Sequence, residues 1–128
     1  MNHKIIDAGV AKQIGAYSDA VLVQPGLRWL YTSGTPGLTE SGELPPDITG
    51  QAEIAWQHII RMLEQANMGV IDIVKATHYL IRAEDIPAYA KVRSRFLGDH
   101  RPASMLSVIP QLVRPEFLVE IEVVAAKA

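Results

Sequence analysis

Apolar residues recur at three- and four-residue intervals along residues 48–67, where Ala52, Ala55, Trp56, Ile59, Leu63 and Ala66 share one face of a helix. Asp47 or Thr49 supplies a cap at its start, and Asn67-Met68-Gly69 ends it with residues that tolerate a left-handed backbone. A second helical pattern covers residues 85–97, with Ile86, Tyr89, Val92 and Phe96 inward and Lys91, Arg93 and Arg95 outward. Pro87 falls in its first turn, where a missing N–H costs little, and Gly98 closes it.

The remaining pattern is that of strands. Ile5 and Ile6 fit a short strand, residues 8–16 read as loop, and residues 20–23 and 27–32 are β-rich runs separated by Gln24-Pro25-Gly26. A Pro-Gly turn between two such runs predicts a hairpin. From Ser33 to Asp47 the chain reads as loop, punctuated by Gly34, Pro36-Gly37, Ser41-Gly42 and Pro45-Pro46. Residues 71–82, 105–109 and 117–125 complete the strands, giving the order β-β-β-α-β-α-β-β. Two helices cannot cover both faces of such a sheet, so the expected architecture is an α+β layer pair, a mixed β-sheet with two helices on one face. Val21-Leu22-Val23 and Tyr79-Leu80-Ile81 are continuous apolar runs, the signature of strands buried on both sides. In so short a chain the second face must meet another copy, which predicts a homo-oligomer with pockets where subunits join.

Composition narrows the function. A length of 128 residues fits one domain (1–128), burying about two-thirds of the unfolded surface. The net charge is −2, with no basic run to track phosphates, which argues against nucleic acid. There is no cysteine, hence no disulfide, thiol nucleophile or Cys-based zinc site. The first residues lack the apolar core of a signal peptide, and no apolar run approaches the roughly 18 residues needed to cross a bilayer. A cytoplasmic protein without membrane contact is expected. His3, His58, His78 and His100 are dispersed, and His58 has Met62 four residues on, so no HExxH site exists. Without a Walker loop, GxGxxG or nucleophile elbow, no metal or nucleotide cofactor is indicated. His78, in mid-strand, reads as a hydrogen-bonded core or interface residue.

Candidate chemistry lies toward the C-terminus. Glu120 and Glu122, two apart on a strand, point the same way about 7 Å apart. They are either a solvated strand face or the working end of a pocket, where burial would raise a carboxyl pKa toward use as a proton shuttle. Ser33 and Gly34 form either a strand-ending turn or a hydroxyl and an open N–H for a ligand oxygen. Arg101 and Arg114 flank the strand at 105–109 and are either solvated or placed to grip a carboxylate.

Ile14-Gly15-Ala16-Tyr17-Ser18-Asp19-Ala20-Val21, Tyr31-Thr32-Ser33-Gly34, Phe96-Leu97-Gly98-Asp99-His100-Arg101-Pro102-Ala103 and Val119-Glu120-Ile121-Glu122 together resemble the RidA (YjgF) family along the whole chain. The resemblance implies a chorismate-mutase-like fold, a homotrimer with small-molecule clefts between subunits, and hydrolysis of reactive enamines and imines to keto compounds and ammonia. It also implies roles: Glu120 and Tyr17 as catalytic residues, with Ser33, Gly34, Arg101 and Ser104 binding substrate. The chain departs from the pattern at Ser104, where deaminase members carry arginine, and at Ala90, where they carry asparagine. The strand leading to Glu120 is also one residue longer. Without that guanidinium, either the substrate is altered or the cleft serves a non-catalytic, ligand-binding or regulatory trimer; Arg101 and Arg93 are the candidates to replace it.

Overall fold

A computed structural model describes residues 3–128. Its elements are β1 (Lys4–Ile6), α1 (Ala11–Ile14), β2 (Ala20–Leu22), β3 (Arg28–Tyr31), β4 (Thr35–Pro36), α2 (Ile48–Gln65), β5 (Ile73–Leu80), α3 (Ile86–Leu97), β6 (Ala103–Val108) and β7 (Val119–Lys127). The main sheet runs β3-β7-β5-β6, with β4 also on β7, and is mixed. β5 and β6 are parallel, which requires the crossover that α3 supplies, and the other pairs are antiparallel. The architecture is the expected α+β one, with both long helices on one face.

Helix α2 starts where Asp47 accepts a hydrogen bond from the Gly50 N–H at 2.8 Å. It is followed by Asn67, whose φ of 57° reverses the chain. Its stripe is the core: Ala52, Ala55, Trp56, Ile59 and Leu63 are all completely buried, against Tyr89 and Val92 of α3 and Ala76, Leu80, Ile121 and Val123 of the sheet. Ile86, expected inward, opens the first turn of α3 and is 36% exposed. Gln51, buried on the same helix, joins the layers through polar contacts. It accepts from the Leu118 N–H at 2.8 Å and donates to the Pro45 and Glu116 carbonyls.

The predicted hairpin does not form. The turn holds at Gly26, with φ of 78°, but β2 pairs with β1 in a separate two-stranded sheet while β3 pairs with the C-terminal β7. A turn signal fixes where the chain reverses, not which strand it then joins; Leu30 gains its burial beside Ala125 of β7. The segments read as loop also hold α1 and the two-residue β4. In the single chain, Leu22 is 46% exposed, so the run around it is covered on one side only.

Both long helices pack on one side of the main sheet, and among the described residues the opposite face carries neither. The register sets Tyr79 across from Glu120, Thr77 across from Glu122, and Tyr31 across from Val124. Trp29 stacks on Tyr31 at 6.2 Å, and these two and Met105 are exposed at 47%, 70% and 57%.

Candidate functional site

Glu120 is the second residue of β7, at the end of the sheet where the chain leaves β3. Thr32 ties that departing loop to β7: its N–H donates to the Val123 carbonyl at 3.0 Å, and its Oγ1 accepts from the Val123 N–H at 2.9 Å. Gly34, two residues on, is thereby laid against the acid. A Cβ at Gly34 would collide with the Glu120 carboxylate, so glycine is what lets the two lie side by side. Glu120 is half-buried, and its pKa is raised, first by desolvation and then by the like charge of Glu122. The structure thus brings Glu120 and Gly34 together, with Ser33 next in the chain.

Tyr17 and Arg101 lie elsewhere. The Ser18 N–H donates to the Pro102 carbonyl at 3.1 Å, the Ser18 hydroxyl donates to the Arg101 carbonyl, and Ser18 bridges Ala103. These bonds place Tyr17 and Arg101 on the wall of a cleft of about 760 Å³ between the β1–β2 ribbon and the end of α3, with Ile5, Val21, Leu97 and His100. Asp19 shapes its rim by accepting the N–H groups of Ala8 and Ala11 at 2.8 and 2.9 Å, which hold its carboxyl below the ordinary range. No sequence signal marked Asp19, since its partners are backbone. Glu120, Ser33, Gly34 and Ser104 do not line this cleft.

The guanidinium of Arg101 is turned back on α3, donating to the Gly98 carbonyl at 2.8 Å and more loosely to that of His100. It satisfies carbonyls left open at the helix end. Arg93 sits over the Tyr89 ring, 5.9 Å from its centroid. Neither guanidinium bonds to Ser104.

Ser104 pairs with Ala76 in register, which puts its side chain on the helix-covered face, the side away from Glu120. Along the strand, Glu120 is level through Tyr79 with Ser107, three residues (about 10 Å) beyond Ser104. The Ser104 hydroxyl meets His78 Nε2 at 3.0 Å, and His78 Nδ1 is hydrogen-bonded to the Tyr89 hydroxyl. Both rings are completely buried. Desolvation, then the Arg93 charge, brings the His78 pKa down to about 3, so the imidazole is neutral. His78 is thus a hydrogen-bonded core residue. Its link to Tyr89 was not visible in the sequence, because a strand residue and a helix residue 11 apart are joined only by packing. Among the described residues, no cluster of three or more His, Asp or Glu side chains is placed to hold a metal ion, and no helix is long and apolar enough to cross a membrane.

Comparison with known proteins agrees with this architecture. The family model described as Endoribonuclease L-PSP matches residues 9–127. A RutC family protein of Pyrococcus abyssi is 31% identical over 118 residues, covering 91% of this chain and 90% of its own. TdcF of Escherichia coli is named a reactive intermediate deaminase and is 26% identical over 102 residues, covering 77% of this chain and 79% of its own. Its crystal structure with bound serine superposes with a TM-score of 0.74 at 26% identity, covering 98% of this chain and 99% of TdcF. A Rid family protein of Yersinia pestis shares the fold with a TM-score of 0.85 at 24% identity, over 99% of this chain and all of its own. With the family model spanning nearly all of its length and the sheet and helices superposing end to end, the chain belongs to the RidA (YjgF) family.

Proposed function

We propose that this protein is a RidA-like enamine/imine deaminase with altered substrate choice, working as a homotrimer. The observation that carries the reading is Glu120, a half-buried carboxyl with a raised pKa held against the Gly34 backbone on the face that neither long helix covers. An enamine tautomerises to an imine, whose carbon is electrophilic. Glu120 takes a proton from water as the water oxygen bonds to that carbon and the C=N electron pair moves to nitrogen; passing that proton to nitrogen gives a carbinolamine. The hydroxyl proton of the carbinolamine then moves to nitrogen through Glu120, the oxygen lone pair closes the carbonyl as the C–N bond breaks, and the products are a carbonyl compound and ammonia. Ser33 and the Gly34 N–H bind the substrate beside that acid.

Tyr17, Arg101 and Ser104 are too far round the molecule to join Glu120 within one chain. The exposed Trp29, Tyr31 and Met105 supply the apolar surface for a neighbouring copy, and a trimer assembled on this face sets one subunit's Glu120 near another's Tyr17. The small polar ligand in the TdcF structure supports a small-molecule cleft.

The test is competition for a reactive imine. A PLP-dependent dehydratase generates 2-aminoacrylate, semicarbazide traps the imine formed from it, and micromolar protein is expected to lower the trapped yield. Glu120→Gln is expected to lose about a hundredfold in rate. Ser104 in place of the deaminase arginine favours a second reading, a trimer that binds small molecules without hydrolysing them. No change in trapped yield with the native protein would leave that reading in place of small-imine deamination. Sedimentation of a monomer at micromolar concentration would overturn the trimer.

A further inference from the structure

The cleft of about 760 Å³ beside the β1–β2 ribbon has the volume of a small-molecule site, and its walls follow from the strand register. Ile5 pairs with Val21, so their side chains share one face of the ribbon, and both line the cleft. The opposite wall is the turn into β5 and the end of α3, where Ile73 and Leu97 are buried and Ile71 is 52% exposed. Ile5 is 51% exposed on its own side. A two-stranded ribbon is marginal in water, yet this one stands off the body with aliphatic groups on both sides of an open slot. Three carboxylates and two cations border the same slot. Asp7 accepts the Gly9 N–H at 2.7 Å and has Lys12 at 4.0 Å, and Asp19 accepts the Ala8 and Ala11 N–H groups. Arg101 is turned onto the carbonyls at the end of α3. Asp99, next after Gly98 at that helix end, is exposed and has no ion-pair or hydrogen-bond partner among the described residues. The Ser18 bonds to the Arg101 and Pro102 carbonyls bring Tyr17 onto the wall that Asp99 shares, and an aromatic face attracts an ammonium group.

We propose that this cleft is a binding site for a small amphipathic amine, whose hydrocarbon part lies between Ile5 and Val21 on one side and Ile71 and Leu97 on the other, and whose ammonium group is taken by Asp99. Charge decides the class of ligand. An anion would lose hydration beside Asp99 and find Lys12 and Arg101 already engaged. A neutral ligand would gain the burial of its apolar surface and nothing more. The ammonium gains that burial and a charge-assisted hydrogen bond, from a carboxylate that has no other protein partner to give up. The site goes beyond the deaminase reading and does not rest on it: neither Glu120 nor Gly34 lines this cleft, and Asp99 has no part in the chemistry assigned to Glu120.

The test titrates the whole protein with three probes of one shape and different charge: 2-phenylethylamine, 2-phenylethanol and 3-phenylpropanoate. Followed by ¹H–¹⁵N NMR, the amine is expected to bind about fivefold tighter than the alcohol, the preference an exposed charge pair supports, and the acid to bind more weakly than either. The shifted amides should include Ile5, Val21, Ile71 and Leu97. Raising the salt to about 1 M should shrink the preference without abolishing binding of the alcohol. Asp99→Asn, at an exposed position whose side chain no protein group holds, should bring the amine down to the alcohol and leave the alcohol where it was. Ile71→Trp, at a half-exposed position, should fill the slot and weaken amine and alcohol together. Equal affinity for amine and alcohol, no amine binding at low-millimolar concentration, a preference that survives Asp99→Asn, or shifts that leave the cleft untouched would each overturn the proposal. Imine trapping is a separate readout, and Asp99→Asn should not change it, so amine binding and deamination succeed or fail independently.

Discussion

On the helix-covered face of the main sheet, His78 and Tyr89 are completely buried, and burial pushes their pKa values in the two directions that keep both neutral: His78 down, Tyr89 up. On the other face, a few ångströms away through the same strands, Glu120 remains partly hydrated, its carboxyl pKa raised by desolvation and by the charge of Glu122, beside exposed Trp29, Tyr31 and Met105. The closed face uses polar groups for fixed orientation: His78 is tied to Tyr89 and Ser104, and burial keeps both His78 and Tyr89 neutral. The open face holds the group that can change protonation state, and it leaves apolar rings for another molecule to cover. The chemistry proposed for Glu120 lies where packing is unfinished.

The largest effect that breaks the comparison is expected from truncating matched tryptophans. Trp56→Ala should cost about 3–5 kcal/mol of unfolding free energy, measured by chemical denaturation, because it opens a cavity among Ala52, Ile59 and the His78 ring. Trp29→Ala, on the open face, should leave the stability of an isolated subunit within about 0.5 kcal/mol but weaken association in sedimentation. Equal losses from both, with unchanged association, would show that the open face is not an interface.

Two glycines give the next contrast. A Cβ at Gly37 would collide with the backbone of Gln51, which cannot retreat without disturbing α2, whereas a Cβ at Gly34 meets only the movable end of the Glu120 side chain. Gly37→Ala is therefore expected to cost about 1–3 kcal/mol by chemical denaturation. Gly34→Ala should be nearly neutral in stability and still depress imine trapping, because the carboxylate is pushed aside. A Gly34→Ala protein with normal trapping would remove Glu120 from the proposed chemistry.

What the sequence disclosed divides along the same faces. The stripe from Ala52 to Leu63 and the cap at Asp47 were readable because period and capping are local properties. The alternation in β7 placed Glu120 and Glu122 on one face for the same reason. The partner of β3 was not readable: the Pro25-Gly26 turn is local, but the choice of β7 over β2 depends on burial of Leu30 against a strand nearly a hundred residues away. The commitments of Arg101 and Ser104 were hidden likewise, since they are set by the end of α3 and by His78 and not by neighbours in sequence. Ser104 was marked by family resemblance as a cleft residue, and only the strand register shows that it faces the helices.

The closed face should also be acid-sensitive in a way the open face is not. An unfolded imidazole takes up a proton below about 6.5, whereas folded His78 stays neutral down to about 3. The unfolded state binds the extra proton across that window, so this group's contribution is intact above 6.5 and declines as pH falls toward 3. The slope from this one group is about 1.4 kcal/mol per pH unit. A His78→Leu/Tyr89→Phe double variant, compared with the native protein at several pH values, should lack that component of the decline. An identical acid profile in both would mean that His78 is hydrated in solution.

Glu120 should show the smallest effect on stability, and of opposite sign. Its folded pKa is raised, so the unfolded carboxyl ionises near 4.5 while the folded one holds its proton to higher pH. The favourable contribution is complete below 4.5 and is lost as pH rises through the folded value, leaving a slightly destabilising ionised carboxylate at neutrality. Glu120→Gln, which cannot ionise, should therefore be marginally more stable than the native protein at pH 7, and the difference should close below pH 4.5 in paired denaturation curves. Because the same substitution is expected to abolish most imine trapping, it tests whether the open face gives up stability for function. A variant that is less stable at pH 7 would instead assign Glu120 a structural role, as a carboxylate held by partners and not as an acid waiting for a ligand.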